Sequence, residues 1–499
     1  MIDTPISTAH GLVTGTAAAL PSVTVFKGIP YAAAPTGHLR WRPPQPPEPW
    51  DGVLAADTFG AICPQTDRFS SLPKQFPMSE DCLNLNVWTA ADSPGDRRPV
   101  LVWIYGGRFV GGSGADPLYD GAALAAAGLV VVTFNYRSGI FGFLGSGNYG
   151  LLDQITLLRW VQVNIAAFGG DPGRVTIAGQ SAGAACVLDL VNAPLAKGVF
   201  HRAIALSGAR HPRDPALAYL AASYRTRDVA EQQEARRIKE FGASTLDELR
   251  ALPADALLLR NDVDDPCDTP GHTHHPPLYR PVLDGHVIPR TYNDALLTGP
   301  ANDVPVMTGS TQDEDGASPR PQITLDEYRA AARATYGDLT DEFLALYPAA
   351  DHEQAGEQTN AAARDGSRTS THLWSTLRTA VARSPVYTYF WTHPVPGPDA
   401  DVRGAFHGSE INYVFDNLYA TERPWTDLDR RIADRFSRFV VNFAATGDPN
   451  GPGLPTWPAA TDRGAAQTMR LGDVFGSMPV AEQAKLAFHR RFLESKPPR

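Results

Sequence analysis

The residues best placed to do chemistry in this chain are the five of Gly179-Gln180-Ser181-Ala182-Gly183. The β-branched run Val175-Thr176-Ile177-Ala178 precedes them, and Ala184-Ala185-Cys186-Val187-Leu188-Asp189-Leu190, which reads as a helix, follows. A serine framed by glycines between a strand and a helix describes a sharp turn that lifts the hydroxyl above a sheet edge. Small neighbours let strand and helix approach closely there. The same letters also describe an ordinary glycine-rich turn. The two readings are separated by whether the chain holds a base, an acid to orient it and an oxyanion hole, because a serine hydroxyl alone is a poor nucleophile at neutral pH.

For a nucleophile of this kind the expected chain order is Ser, then Asp or Glu, then His. The segment Ser310-Thr311-Gln312-Asp313-Glu314-Asp315-Gly316 follows an expected strand ending at Gly309 and offers three carboxylates where the orienting acid belongs. Most of the 13 histidines read as solvated or core residues. His407 stands out in Ala405-Phe406-His407-Gly408-Ser409-Glu410, since a glycine follows it and polar residues surround it. Gly106-Gly107-Arg108, at the end of the strand containing Trp103, offers two backbone N–H groups to a developing oxyanion, and the N–H of Ala182 a third. His272-Thr273-His274-His275 lacks metal-ligand spacing, and serine chemistry needs no metal; neither a metal nor a cofactor is expected.

These groups need a scaffold. Val100-Leu101-Val102-Trp103-Ile104-Tyr105 and Leu129-Val130-Val131-Val132-Thr133-Phe134 are continuous apolar runs, which suit parallel strands covered on both faces. Further strands are expected at 203–207, 304–309 and 386–391. Helices are expected at 153–167, where Ile155, Leu158, Val161 and Ile165 share a face, and at 228–241 and 430–445. Strands alternating with helices predict an α/β chain built on a large, mostly parallel central sheet. The irregular segment 209–300 is expected to cap it. The length of 499 residues allows about three domains as a soft prior, but the pattern is read as one domain, 1–499, with insertions.

Composition narrows the function. Hydrophobic content of 43% and charged content of 20% describe an ordinary globular chain with ample core. Lys+Arg 44 against Asp+Glu 54 gives a net charge of −10 with no basic block, which disfavours a nucleic-acid partner. No uncharged apolar run reaches the ~18 residues of a membrane span. Met1-Ile2-Asp3-Thr4-Pro5 shows no basic stretch leading into an apolar one, so a leader is expected to be absent or already removed; a secreted and a cytoplasmic location both stay open. The expected partner is a small molecule, and the oligomeric state, monomer or dimer, stays open.

With these residues in view, the chain resembles the type-B carboxylesterase/lipase family, the cholinesterase-like branch of the α/β-hydrolases, over nearly its whole length. The resemblance is carried by Phe26-Lys27-Gly28-Ile29-Pro30-Tyr31-Ala32 and Leu39-Arg40-Trp41-Arg42-Pro43-Pro44. Ser79-Glu80-Asp81-Cys82-Leu83-Asn84-Leu85-Asn86-Val87-Trp88 and Phe168-Gly169-Gly170-Asp171-Pro172 are its most specific parts, and the tail Asn442-Phe443-Ala444-Ala445-Thr446-Gly447-Asp448-Pro449-Asn450 matches as well. It implies an α/β-hydrolase fold, ester hydrolysis, Ser181 as nucleophile, Glu314 as acid and His407 as base. It implies an oxyanion hole of Gly107, Arg108 and Ala182, structural ion pairs Arg40–Glu80 and Arg137–Asp153, and a disulfide between Cys63 and Cys82. Such a bridge would restrain the loop 64–81 and contribute about 3 kcal/mol. Of the other cysteines, Cys186 reads as a small buried hydrophobe and Cys267 as free.

Two departures from the family pattern bear on specificity. Arg108 stands where a third glycine or an alanine is usual, and its planar fork could bind a substrate carboxylate; the alternatives are a pair with a surface carboxylate and partial obstruction of the hole. Gln180 stands where Glu is usual, so a negative charge is missing beside the His–Ser pair. Arg210, with His211 and Arg213, adds positive charge near the expected acyl pocket. Together Arg108, Gln180 and Arg210 predict a preference for substrates carrying a carboxylate near the scissile ester. Cholinesterase activity is disfavoured, since no tryptophan lies between Cys63 and Cys82 to face a quaternary ammonium. The rival readings are an amide or carbamate hydrolase on the same triad, and a non-catalytic adhesion homologue, which would typically lack a triad member.

Overall fold

A computed structural model describes residues 5–66, 71–218, 224–265, 275–314, 316–461 and 465–498. The centre of the molecule is an 11-stranded sheet. Its strands in chain order are β1 (Thr16–Ala17), β2 (Thr24–Pro30), β3 (Asn84–Thr89), β4 (Arg98–Ile104), β5 (Val130–Phe134), β6 (Gly170–Gln180), β7 (Arg202–Leu206), β8 (Val306–Thr311), β9 (Val386–Trp391), β10 (Gln467–Leu471) and β11 (Gly476–Pro479). Across the sheet they lie in the order β11-β10-β9-β8-β7-β6-β4-β5-β3-β2-β1. The strands from β5 through β10 run parallel, and antiparallel pairs close both margins. Consecutive residues of β4 and β5 are all buried, from Val100 to Ile104 and from Val130 to Phe134. Neighbouring side chains on a strand point to opposite faces, so both faces of the sheet centre are covered.

The main helices are α1 (Tyr149–Asn164), α2 (Ala182–Asn192), α3 (Arg227–Glu240), α4 (His352–Val381), α5 (Asp427–Thr446) and α6 (Gln483–Glu494); α3 packs on a separate two-stranded sheet of Arg225–Thr226 and Val282–Leu283, and α6 packs on α4. Helix α2 packs on β6 and β7, α4 on β8 and β9, and α5 on β4 and β6. Local sequence sets the ends of these elements. Thr426 and Asp429 form a reciprocal capping box at the start of α5, and Gly447 at φ 84° ends it. Strand β8 begins after Pro305, two residues later than the apolar run suggested, because proline has no N–H for the ladder. The Pro305 carbonyl still accepts from Ala203 at 3.0 Å, and the strand continues to Thr311, which pairs with Trp391.

Buried ion pairs fasten loops to this frame. Arg137 grips Asp153 of α1 with two bonds, Nε to Oδ2 at 2.8 Å and Nη2 to Oδ1 at 2.7 Å, and its own backbone N–H adds a third at 3.0 Å. Arg40 grips Glu80 in the same two-pronged way. Its Nη1 also reaches the carbonyls of Arg250 and Leu252 at 2.6 Å, tying the segment 209–300 to the N-terminal loops. A second tie is Arg225, wholly buried, which donates to the carbonyls of Phe143 and Arg280 and to Gln233 Oε1.

The implied disulfide is corrected. Cys63 and Cys82 are both buried, but they are free thiols. The neighbouring Cys63 thiol pushes the Cys82 thiol well above its ordinary range, with burial adding to it. The Cys63 sulfur accepts the Ser138 N–H at 3.4 Å, so it is held as a hydrogen-bonding thiol. Cys186 is buried, as a small hydrophobe would be, and Cys267 lies outside the described residues.

Arg137 and Asp153 have side chains only 2% and 0% exposed, so removing one partner strands a charge in the core. Replacing Arg137 by Met should lower stability by about 3–5 kcal/mol, read as an earlier midpoint in chemical unfolding; adding Asp153→Leu should recover most of the loss.

Candidate active site

The sequence-predicted groups converge at the carboxyl ends of β4, β6, β7 and β8, the edge where ligands bind in open parallel sheets. Strand β6 ends at Gln180 and α2 starts at Ala182, which leaves one residue for the turn. That residue, Ser181, takes φ 60° and ψ −124°, a conformation a side chain rarely adopts. Its N–H donates to the Leu206 carbonyl and its carbonyl accepts from Ala185, both at 3.0 Å. A Cβ on Gly183 would sit 2.1 Å from the Ile104 carbonyl oxygen, and one on Gly106 would sit 2.5 Å from that of Gln180. Glycine at both places is what lets β4 and the elbow touch.

Gly107, Arg108 and Phe109 follow β4 with φ of 110°, 55° and 61°. Two successive non-glycine residues in the left-handed region store strain of order 1–3 kcal/mol each, which is characteristic of functional loops. Among the described residues, none accepts a hydrogen bond from the N–H of Gly107, Arg108 or Ala182. Ala182 is buried, where an N–H is seldom left unmated, and its N–H opens α2 at the positive end of the helix dipole; Gly107 and Arg108 are half-buried. Such donors suit an anion or a developing oxyanion.

His407 and Glu314 meet as the sequence suggested. The carboxylate Oε2 lies 2.5 Å from His407 Nδ1, and Oε1 accepts the Thr311 N–H at 2.9 Å, which pins the acid to the end of β8. The acid is buried at 5% exposure while the imidazole is 45% exposed, so the pair spans from core to solvent. Of the other two carboxylates on that loop, Asp313 is committed elsewhere. It accepts from Arg364 Nη2 at 2.5 Å and from the Ala405 N–H at 2.8 Å, and thereby holds the histidine loop against β8. Asp315 lies outside the described residues.

Arg108, Gln180 and Arg210 take different surroundings. Arg108 Nη2 reaches Asp264 Oδ1 at 2.6 Å and the His275 carbonyl at 3.2 Å. Gln180 is buried, with Nε2 at 3.1 Å from His407 Nε2. Arg210 is buried against Asp214, which also accepts from the Ser370 hydroxyl at 2.6 Å. Arg213 turns to the carbonyls of Glu494 and Lys496 beyond α6. His272 and His274 lie outside the described residues, among which no group of three or more metal-ligating side chains occurs.

The sequence reading missed Glu410. It is wholly buried, accepts from the Tyr389 hydroxyl at 3.2 Å through Oε1, and has no partner for Oε2 among the described residues. Burial, reinforced by the charge of Glu314, pushes its carboxyl up to about 7. Its spacing of three from His407 is the one sequence signal that pointed to it. Asp264 was missed as well, since nothing local marks it as the partner of a residue on the far side of the chain.

Comparison with known proteins identifies the family and the fold. The model of the family described as "Carboxylesterase family" matches residues 2–482. The fumonisin B1 esterase of Sphingopyxis macrogoltabida is 37% identical over 479 residues, covering 91% of this chain and 84% of that one. The para-nitrobenzyl esterase of Bacillus subtilis is 36% identical over 489 residues, covering 91% and 92%, and the human cocaine esterase is 34% identical over 505 residues, covering 91% and 86%. A solved structure of a PNB esterase superposes with a TM-score of 0.78 at 32% identity, covering 98% of this chain and 99% of that one. The fold is that of an α/β-hydrolase.

Proposed function

The chain belongs to the carboxylesterase family and is a carboxylic ester hydrolase, and on that premise we propose that it works through a serine acyl-enzyme with Ser181, His407 and Glu314 as its triad. The strained backbone of Ser181 at the start of α2 is the observation that carries this reading. The Glu314–His407 contact supports the rest of it. His407 takes the hydroxyl proton on Nε2 as Ser181 Oγ bonds to the ester carbonyl carbon. The oxyanion lies on the N–H groups of Gly107, Arg108 and Ala182. Collapse breaks the bond to the alcohol oxygen, which receives the proton from Nε2. Water then adds to the acyl-enzyme in the same way, gives its proton to His407, and the acid departs as Ser181 recovers its own. Glu314 fixes the tautomer that leaves Nε2 free to accept.

One domain, 1–499, with 209–300 as its cap, is the organisation we propose. A contiguous hydrophobic cluster containing both Ile6 and Leu471, and the Arg40 and Arg225 ties, support it.

A preference for substrates with a carboxylate near the ester belongs to the same proposal. Arg108 sits in the oxyanion loop, and only its Nη2 is engaged by described residues, which leaves Nε and Nη1 as donors. Its pair with Asp264 is open to solvent, at 38% and 52% side-chain exposure. Exposed pairs of this kind are worth about 0–1 kcal/mol, so a substrate carboxylate can displace Asp264 at little cost. The neutral Gln180 adds no repulsion.

Ser181→Ala should lower turnover of a p-nitrophenyl ester by roughly four orders of magnitude or more while the circular dichroism spectrum is unchanged; retained turnover would overturn the mechanism. For specificity, a half-ester of a dicarboxylic acid should exceed its methyl-capped analogue in kcat/KM by about tenfold, equivalent to ~1.4 kcal/mol. Arg108→Gly should abolish the difference. No preference in the wild type, or one that survives the substitution, contradicts it.

A further inference from the structure

The side chain of Gln180 meets the base of the proposed triad directly. Its Nε2 lies 3.1 Å from His407 Nε2, the nitrogen that must take the serine proton. The amide is buried and packed under the histidine loop: a Cβ on Gly408 would meet its carbon, nitrogen and oxygen at 3.4–3.5 Å. Gln180 is also the last residue of β6, so the strand that delivers Ser181 delivers this amide with it.

The chemistry of the two ring nitrogens fixes the sense of the contact. Nδ1 faces the Glu314 carboxylate, which only accepts, so Nδ1 carries a proton. In the neutral ring Nε2 is then a lone pair, and whatever bonds to it there must donate. The amide NH2 of Gln180 does so; its oxygen could not. A hydrogen bond made to the neutral form of a base favours that form. A carboxylate at the same place could give no proton and would favour the imidazolium instead.

We infer that Gln180 is a positioning residue for His407: its side-chain N–H docks on the Nε2 lone pair and holds the imidazole in its neutral, proton-accepting form. The inference rests on Ser181 and His407 being nucleophile and base. On proton transfer Nε2 becomes a donor, and the amide must turn its oxygen inward or withdraw. The contact therefore belongs to the resting enzyme and yields to the serine hydroxyl as the reaction begins. The neutral amide also leaves the charge around the base to the other groups near it. These are Glu314 on Nδ1, Glu410 three residues along, Asp313 in its pair with Arg364, and Arg403, whose guanidinium lies 3.5 Å from the centre of the Phe406 ring.

The test is the pH dependence of kcat/KM on a neutral ester for the wild type, Gln180→Glu and Gln180→Met, followed from about pH 5 to pH 9, where the acidic limb reports the base of the free enzyme. Gln180→Glu should move that limb up by about one unit or more, as expected for a carboxylate against an imidazole. Gln180→Met, which removes the donor without adding charge, should move it up by less. An unmoved or lowered limb in either variant overturns the inference while the esterase mechanism stands. That mechanism fails instead if Ser181→Ala keeps the turnover and limb of the wild type.

Discussion

The whole site depends on one steric constraint, the turn at Ser181. A strand must become a helix across one residue, and the ends of β4, β6 and β7 must close around it. Ser181 accepts a backbone conformation that costs of order 1–3 kcal/mol, and the surroundings hold it there. Its N–H is tied to Leu206 at the end of β7, and Ser207, also in the left-handed region at φ 55°, donates its own N–H to Gly309 in β8. Neighbouring strand ends are thus stitched to one another immediately below the nucleophile. Gly106 and Gly183 have no Cβ to keep the oxyanion loop and α2 away from it. A buried sheet, covered on both faces, supplies the rigidity that makes such strain sustainable.

The base side is built differently. His407 lies on no strand of the sheet; its loop is held by an isolated β-bridge between Asp313 and Phe406, by the Asp313 carboxylate, which bridges Ala405 and Arg364, and by the Glu314 contact. The acid is core and the imidazole is half in solvent, so the arrangement grades from a rigid nucleophile to a more accessible base. Gln180 brings a donor with no charge, while Glu410, whose carboxyl burial pushes up to about 7, changes its charge near neutrality. Glu314 is the carboxylate in direct contact with the imidazole.

What could be read in the sequence was what local chemistry dictates. The elbow, the continuous apolar strands and the helices α1 and α5 follow from residue type and period, and they are where the sequence placed them, with ends moved by a few residues. Pro305 explains one such shift. The ion pairs Arg40–Glu80 and Arg137–Asp153 were legible only through family likeness, and both are formed. The Cys63–Cys82 bridge came the same way and is absent, the two thiols meeting without a bond. What was not legible depends on partners far apart in the chain. Arg108 has no local mark that points to Asp264, 156 residues away, and the glutamine before the serine has none that points to His407, 227 residues away.

The central claim is that the hydroxyl of Ser181, activated within this constellation, is the group that attacks the ester. A phosphonate ester that reacts only with activated serines tests it most directly, with the modified residue located by peptide mass spectrometry. The account predicts a single adduct on Ser181, formed in step with complete loss of esterase activity. Loss of activity with the adduct on another residue, or full activity with Ser181 modified, would contradict it.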